Sequence, residues 1–168
     1  CFVSWSKVCQ SKDTGVLAVR DPAQVNRASL LLLTWKLITS NEQWAHICRV
    51  RFLNNYTPKS HYITSSVWPG LKSNIQYIFY HSIWTVGNGR NIRFWSDKWL
   101  DSPIAEHWNI PPSLISDIEL KVNDFIVNGT WCLPDYIQQK DPALAAKIQS
   151  ITLPVDDIPD VLHWFLSA

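Results

Sequence analysis

The stretch from Ile83 to Trp99, Ile-Trp-Thr-Val-Gly-Asn-Gly-Arg-Asn-Ile-Arg-Phe-Trp-Ser-Asp-Lys-Trp, constrains the fold of this chain more than any other. Glycine reaches positive φ at little steric cost, so Gly87-Asn88-Gly89 predicts a tight reversal. Before it, Trp84 and Val86 alternate with Thr85; after it, Ile92 and Phe94 alternate with Arg93. A period of two places Trp84, Val86, Ile92 and Phe94 on one apolar face of a β-hairpin. Arg90, Arg93 and Lys98 gather at the turn and on the other face, with Trp95 and Trp99 close by.

The segments before the hairpin read as helical. Lys12-Asp13-Thr14-Gly15 is a turn signal between two short extended pieces. Asp21 is an N-cap candidate, Pro22 suits the first helical position, and Gln24 completes a capping box. Val25, Ala28, Leu31, Leu32, Trp35 and Ile38 follow at helical spacing, to an end near Ser40-Asn41. Asn41 is expected to cap a second helix carrying Trp44, Ile47, Cys48, Arg51 and Phe52. So short a connection predicts an antiparallel helix pair. Asn54 to His61 reads as a loop. Ser65 or Ser66 should cap a third helix through Trp68, Leu71, Ile75, Ile78 and Phe79, which tolerates Pro69 only in its first turn.

After Trp99 the texture changes. Prolines 103, 111 and 112 punctuate a loop, and 118–127 fits strand or helix equally. Asn128-Gly129-Thr130 reads as a turn, Asp141-Pro142 as the start of a short helix, and Pro154 to Ala168 as an acidic linker. The fold class expected is mainly α with a central β-hairpin (α+β). The expected organisation is a basic, Trp-rich helical region over 1–100 and an acidic appendage over 101–168.

Charge supports that division. Residues 1–100 hold twelve Lys/Arg against four acids, or 12 − 4 = +8, while 101–168 hold three against ten, or 3 − 10 = −7. A basic front is the better candidate for a polyanion, although the two halves also complement each other. Arg49 and Arg51 in the second helix, with Arg90, Arg93 and Lys98 at the hairpin, are candidate phosphate contacts on RNA or DNA. Trp95 and Trp99 are candidates for stacking on an unpaired base; core packing is the competing assignment for Trp.

Reaction chemistry is not announced. The adjacent carboxylates Asp156-Asp157 sit in a Pro-flanked linker rather than at a strand turn, which disfavours a two-metal site. Asp97 and Asp101 are better placed to bond backbone or to pair with Arg93 or Lys98. The five histidines have no Ser or Cys at an activating spacing. Gly87-Asn88-Gly89 lacks the spacing and the following Lys of a phosphate-cradling loop. Cys1, Cys9, Cys48 and Cys132 form no C-x-x-C pair, which favours reduced thiols in an intracellular compartment, cytoplasm or nucleus. No catalytic residue, metal or cofactor is therefore expected. With no apolar run of about 18 residues, no membrane partner is expected either. Asn55-Tyr56-Thr57 and Asn128-Gly129-Thr130 match the glycosylation sequon and are read as chance. The chain opens on Cys and contains no Met, as an internal piece of a longer protein or a trimmed gene fragment would.

Three ordered blocks carry a resemblance. Trp5-Ser6-Lys7-Val8-Cys9, with Lys12, Gly15 and Arg20-Asp21, resembles the W-x-K-V-C-x-P-K…G-G-L-G-x-R-D block that follows the polymerase domain in plant LINE-type (non-LTR) retrotransposon reverse transcriptases. Asn26, Ala28, Leu30-Leu31 and Trp35-Lys36-Leu37 resemble that family's N-x-A-L-L-x-K-x-x-W-R-L. Trp44-Ala45, Ser65-Ser66-Val67-Trp68, and Trp84 to Trp99 resemble its S-S-x-W…W-x-V-G-N-G-x-x-I-x-F-W-x-D-x-W. Asp124-Phe125-Ile126 and Trp131 fit more loosely. Departures include Gly15-Val16-Leu17-Ala18 for Gly-Gly-Leu-Gly, Ser11 for Pro, and Leu32-Leu33 where Lys is frequent.

The resemblance implies a position between the polymerase palm and a zinc-binding segment, often followed by ribonuclease H. The Tyr-x-Asp-Asp motif and the Cys/His cluster of that family are absent, so its RNA-directed DNA synthesis transfers to no residue here. The first expectation is a non-catalytic connecting region, partnered by the rest of the parent reverse transcriptase, that positions RNA or DNA strands. The alternative is a fragment or pseudogene product, a structural relic without a ligand. An enzyme would need acids that converge only in space.

Overall fold

The structure is a computed structural model describing residues 4, 8–9, 20–54, 56–60, 63–115 and 120–165. The turn expected at Lys12–Gly15 lies outside the described residues. Helices and short antiparallel strand pairs are mixed, so the fold is α+β. The chain packs as two compact units, Cys1–Ile78 and Phe79–Ala168. The Trp-rich stretch therefore groups with the acidic residues that follow it, not with the basic helices before it.

In the first unit α1 spans Pro22–Thr39, α2 Gln43–Phe52 and α3 Trp68–Tyr80, the last crossing into the second unit. Asp21 caps α1 by accepting the Ala23 N–H, with Pro22 at the first helical position. Ser65 caps α3 by accepting the N–H groups of Val67 and Trp68. The residue preceding α2 is Glu42, not Asn41, and its carboxylate takes the Trp44 indole N–H at 2.6 Å instead of a helix amide. Within the polar 54–61 segment, read as loop, β1 (Leu53–Asn54) pairs with β2 (Thr57–Pro58). Leu37, Ile38, Ala45, Leu53, Trp68, Ile75 and Ile78 form this unit's buried core.

In the second unit β3 (Ser82–Thr85) is followed by the short α4 (Ile104–His107) and α5 (Pro112–Ile115). A 3-10 turn at Val122–Phe125 leads into the β4 (Ile126–Val127) and β5 (Thr130–Trp131) hairpin, so the ambiguous 118–127 segment uses both conformations where it is described. Then come α6 (Asp135–Lys140), α7 (Pro142–Gln149) and β6 (Val161–Trp164). Asp141 caps α7 through the Leu144 N–H, and Pro142 opens it, as the sequence predicts.

The central hairpin does not form. Trp84, Val86, Ile92 and Phe94 are all buried, as their alternation requires, but the two arms have different partners. β3 pairs antiparallel with β6, Ser82 opposite Trp164 and Thr85 opposite Val161. The other arm pairs with 120–123: Phe94 N–H donates to Leu120 O, and Val122 N–H to Ile92 O. A two-residue type I′ turn needs positive φ at both central residues. Gly89 has φ +70°, whereas Asn88 is not in the left-handed region. Asn128 (φ 52°) and Gly129 (φ 74°) both are, and that Asn-Gly closes a real two-residue hairpin. Pro154 to Ala168 is likewise not merely a linker, since Val161–Trp164 completes the sheet. No helix among the described residues is long and apolar enough to cross a membrane.

Candidate nucleic-acid interface

The five-residue span Gly87–Asn91 wraps an anion. Asp160 Oδ1 accepts the N–H groups of Gly87 and Gly89, and Oδ2 accepts that of Asn91, each at 2.8 Å. Backbone amides turned toward one point form an anion-binding concavity, here built from the alternate N–H groups of Gly87, Gly89 and Asn91. Glycine is required at both buried positions. A Cβ on Gly87 would lie 2.3 Å from the Ile158 carbonyl oxygen, and one on Gly89 2.6 Å from the Asn123 nitrogen. Beside this cradle Asn88 Nδ2 donates to Asp157 Oδ1 at 2.9 Å, and Arg90 Nη1 lies 3.3 Å from Asp157 Oδ2. The sequence reading missed this cradle because its donors and acceptor lie about seventy positions apart.

The candidate contacts fall into two groups. Arg49 and Arg51 belong to the first unit; Arg90, Arg93, Trp95, Lys98 and Trp99 belong to the second. Arg49 is directed inward and donates to the carbonyls of Leu37 and Ser40 at the end of α1, at 2.7 and 2.8 Å. Cations there complement the helix dipole and satisfy orphan carbonyls. Arg51 is exposed, with its guanidinium 5.4 Å from the Phe52 ring centre, at the edge of a cavity of about 590 Å³ that Trp44, Phe52 and Trp68 also line.

Arg93 is held by Asp97. Its N–H, Nε and Nη2 all donate to that carboxylate, at 2.7, 3.0 and 2.7 Å, and Asp97 is buried. This is the pairing the sequence suggested for Asp97. Lys98 lies 5.4 Å from the Phe165 ring centre. Trp95 and Trp99 are core residues, 7% and 4% exposed. Trp95 packs edge-on against Phe94, and Trp99 stacks on Trp131 while its indole N–H donates to Phe94 O. Their faces are already covered, so the expectation that they stack on a base is corrected. The regular spacing that suggested a platform reflects a core.

The charge asymmetry persists at the unit boundary, though it is smaller there than at residue 100. Residues 1–78 hold nine Lys/Arg and three acids, 9 − 3 = +6; residues 79–168 hold six and eleven, 6 − 11 = −5. The ion pairs found among the described residues (Arg90–Asp157, Arg93–Asp97, His107–Asp141 and Lys147–Asp101) all lie in the second unit. Among the described residues no group of three or more His, Cys, Asp or Glu is placed to hold a metal ion. Cys9, Cys48 and Cys132 are free thiols.

The carboxyl of Asp141 is tuned by its neighbours. The Leu144 N–H, then the His107 ring 2.9 Å away, hold its carboxyl below the usual range. A depressed carboxyl contributes stability that is fully present above the ordinary aspartate pKa of about 4 and is lost as pH falls through the folded value. The urea midpoint should therefore drop below about pH 4, and Asp141→Asn, which keeps a cap but cannot titrate, should flatten that drop. An unchanged acid limb in the variant would contradict the assignment.

Comparison with curated proteins gives a relative from Arabidopsis thaliana, named "Putative ribonuclease H protein", 32% identical over 115 residues. The match covers 62% of this chain, and the chain spans only 18% of that relative. No family model and no solved structure matches.

Proposed function

We propose that the chain is a non-catalytic connecting region of a retrotransposon-derived reverse transcriptase, and that its first unit steadies an RNA or DNA strand by its phosphates. The ordered sequence blocks support the parentage, and the ribonuclease H name of the plant relative is compatible with it. The observation that carries the binding role is the +6 charge of residues 1–78, with Arg27, Arg51 and Lys72 exposed and the ion pairs of the described residues lying in the other unit. Phosphate contacts to such a surface release counterions and are insensitive to sequence.

The test is a titration of the chain against fluorescent single-stranded RNA and an RNA–DNA duplex over a salt series. Binding with a dissociation constant of about 1–100 µM is expected, with log affinity falling by about 0.7 to 0.9 per phosphate contact per decade of salt. The combined substitution Arg27→Ala, Arg51→Ala and Lys72→Ala should weaken binding and flatten the slope by about 2. A folded wild-type chain that binds neither probe at low salt would overturn the role, leaving the relic reading.

A further inference from the structure

We propose that the Gly87–Asn91 cradle is a second nucleic-acid phosphate site, occupied in cis by Asp157 and Asp160 as stand-ins for two strand phosphates. This extends the proposed strand-binding role to the second unit and rests on that reading for the identity of the ligand.

The cradle has the donor set an oxyanion needs. Three backbone N–H groups converge on Asp160 at 2.8 Å, and a neighbouring pair, the Asn88 amide and the Arg90 guanidinium, takes Asp157. Backbone amides of this arrangement donate to carboxylate and phosphate oxygens alike. Arginine adds the charge-assisted, planar donor that suits phosphate.

The occupant is held by charge rather than by packing. Asp156, Asp157, Ile158 and Pro159 are exposed, and Val155 is fully so. The Arg90–Asp157 pair is itself more than 60% exposed on each side. The buried anchor of the tail is Leu162, within β6, which pairs with β3 independently of the cradle. Residues 156–160 can therefore lift away while β6 stays paired. Since the Ile158 carbonyl and Pro159 lie against Gly87, that movement uncovers the glycine amides. An incoming strand must displace two carboxylates, so the acidic tail raises the threshold for binding.

The test uses the full chain and a labelled twenty-nucleotide single-stranded RNA. Asp157→Asn with Asp160→Asn weakens the cis occupant but leaves amide oxygens to accept the loop N–H groups. Glu106→Gln with Asp135→Asn changes net charge equally at exposed side chains away from the cradle. The first pair should tighten binding about tenfold beyond the second, with Arg90→Ala reversing most of the gain. On the wild-type chain, saturating RNA should shift the amide resonances of Gly87, Gly89 and Asn91.

Equal gains from the two pairs, or a gain that survives Arg90→Ala, would overturn the inference, as would unmoved amides in an RNA-saturated wild type. The two proposals fail separately. Wild-type binding lost on changing Arg27, Arg51 and Lys72, with no extra gain from the Asp157/Asp160 pair, leaves only the first-unit role. Binding seen solely after the Asp157/Asp160 change, and abolished by Arg90→Ala, leaves only the cradle.

Discussion

Replacing Phe94 with alanine should cost about 3–5 kcal/mol of stability, a large part of what a domain of this size possesses. Phe94 has no exposed surface. Its ring lies 3.9 Å from Phe125, 4.9 Å from Trp95 and 5.4 Å from Trp99, centre to centre. Phe125 comes from a separate stretch of the second unit, and the Phe94 backbone also pairs with Leu120 and accepts the Trp99 indole N–H. Truncation leaves a cavity walled by rigid aromatic rings, which collapse poorly into the space. Urea unfolding followed by tryptophan fluorescence would report the loss, and Phe94→Leu should cost clearly less. A loss for Phe94→Ala below about 1 kcal/mol would show that this ring is not central to the packing.

Asp160→Ala should have the next largest effect. Hydrogen bonds to a charged acceptor contribute about 1.5–3 kcal/mol each. Three amides lose their acceptor, two of them on the buried glycines 87 and 89. Water can reach Asn91, so the expected cost is roughly 3 kcal/mol rather than the sum. The loss should appear mainly as opening of 156–160 from the loop, with global unfolding affected less. Asp160→Asn retains an acceptor and should recover about half of it.

Burial was legible in the sequence and pairing was not. The alternation of Trp84, Val86, Ile92 and Phe94 correctly marks the buried face, because period and burial are local properties of a strand. Which strand lies alongside is a non-local matter. Asn-Gly occurs at 88–89 and at 128–129, yet only the second takes the geometry of a two-residue hairpin. At the first, Asp160 competes for the loop amides from seventy residues away, and no local pattern announces it.

The helix caps Asp21, Ser65 and Asp141 could be read directly, since a cap and its amides are separated by three positions at most. The basic residues could not. Arg49 and Arg93 look alike in the sequence to exposed Arg51, but one closes a helix end and the other pairs with buried Asp97. Charge is visible in a sequence; its neutralisation is a property of packing.

The central structural claim is that the acidic tail, not a facing strand, completes the Gly-Asn-Gly loop. Residue-resolved amide hydrogen exchange on the wild type and on Asp160→Ala tests it most directly. The account predicts that the Gly87, Gly89 and Asn91 amides are all protected in the wild type and lose protection together in the variant, while Phe94 and Val122 stay protected through their own pairing. Protection of the three loop amides that survives the loss of Asp160, or free exchange already in the wild type, would contradict it.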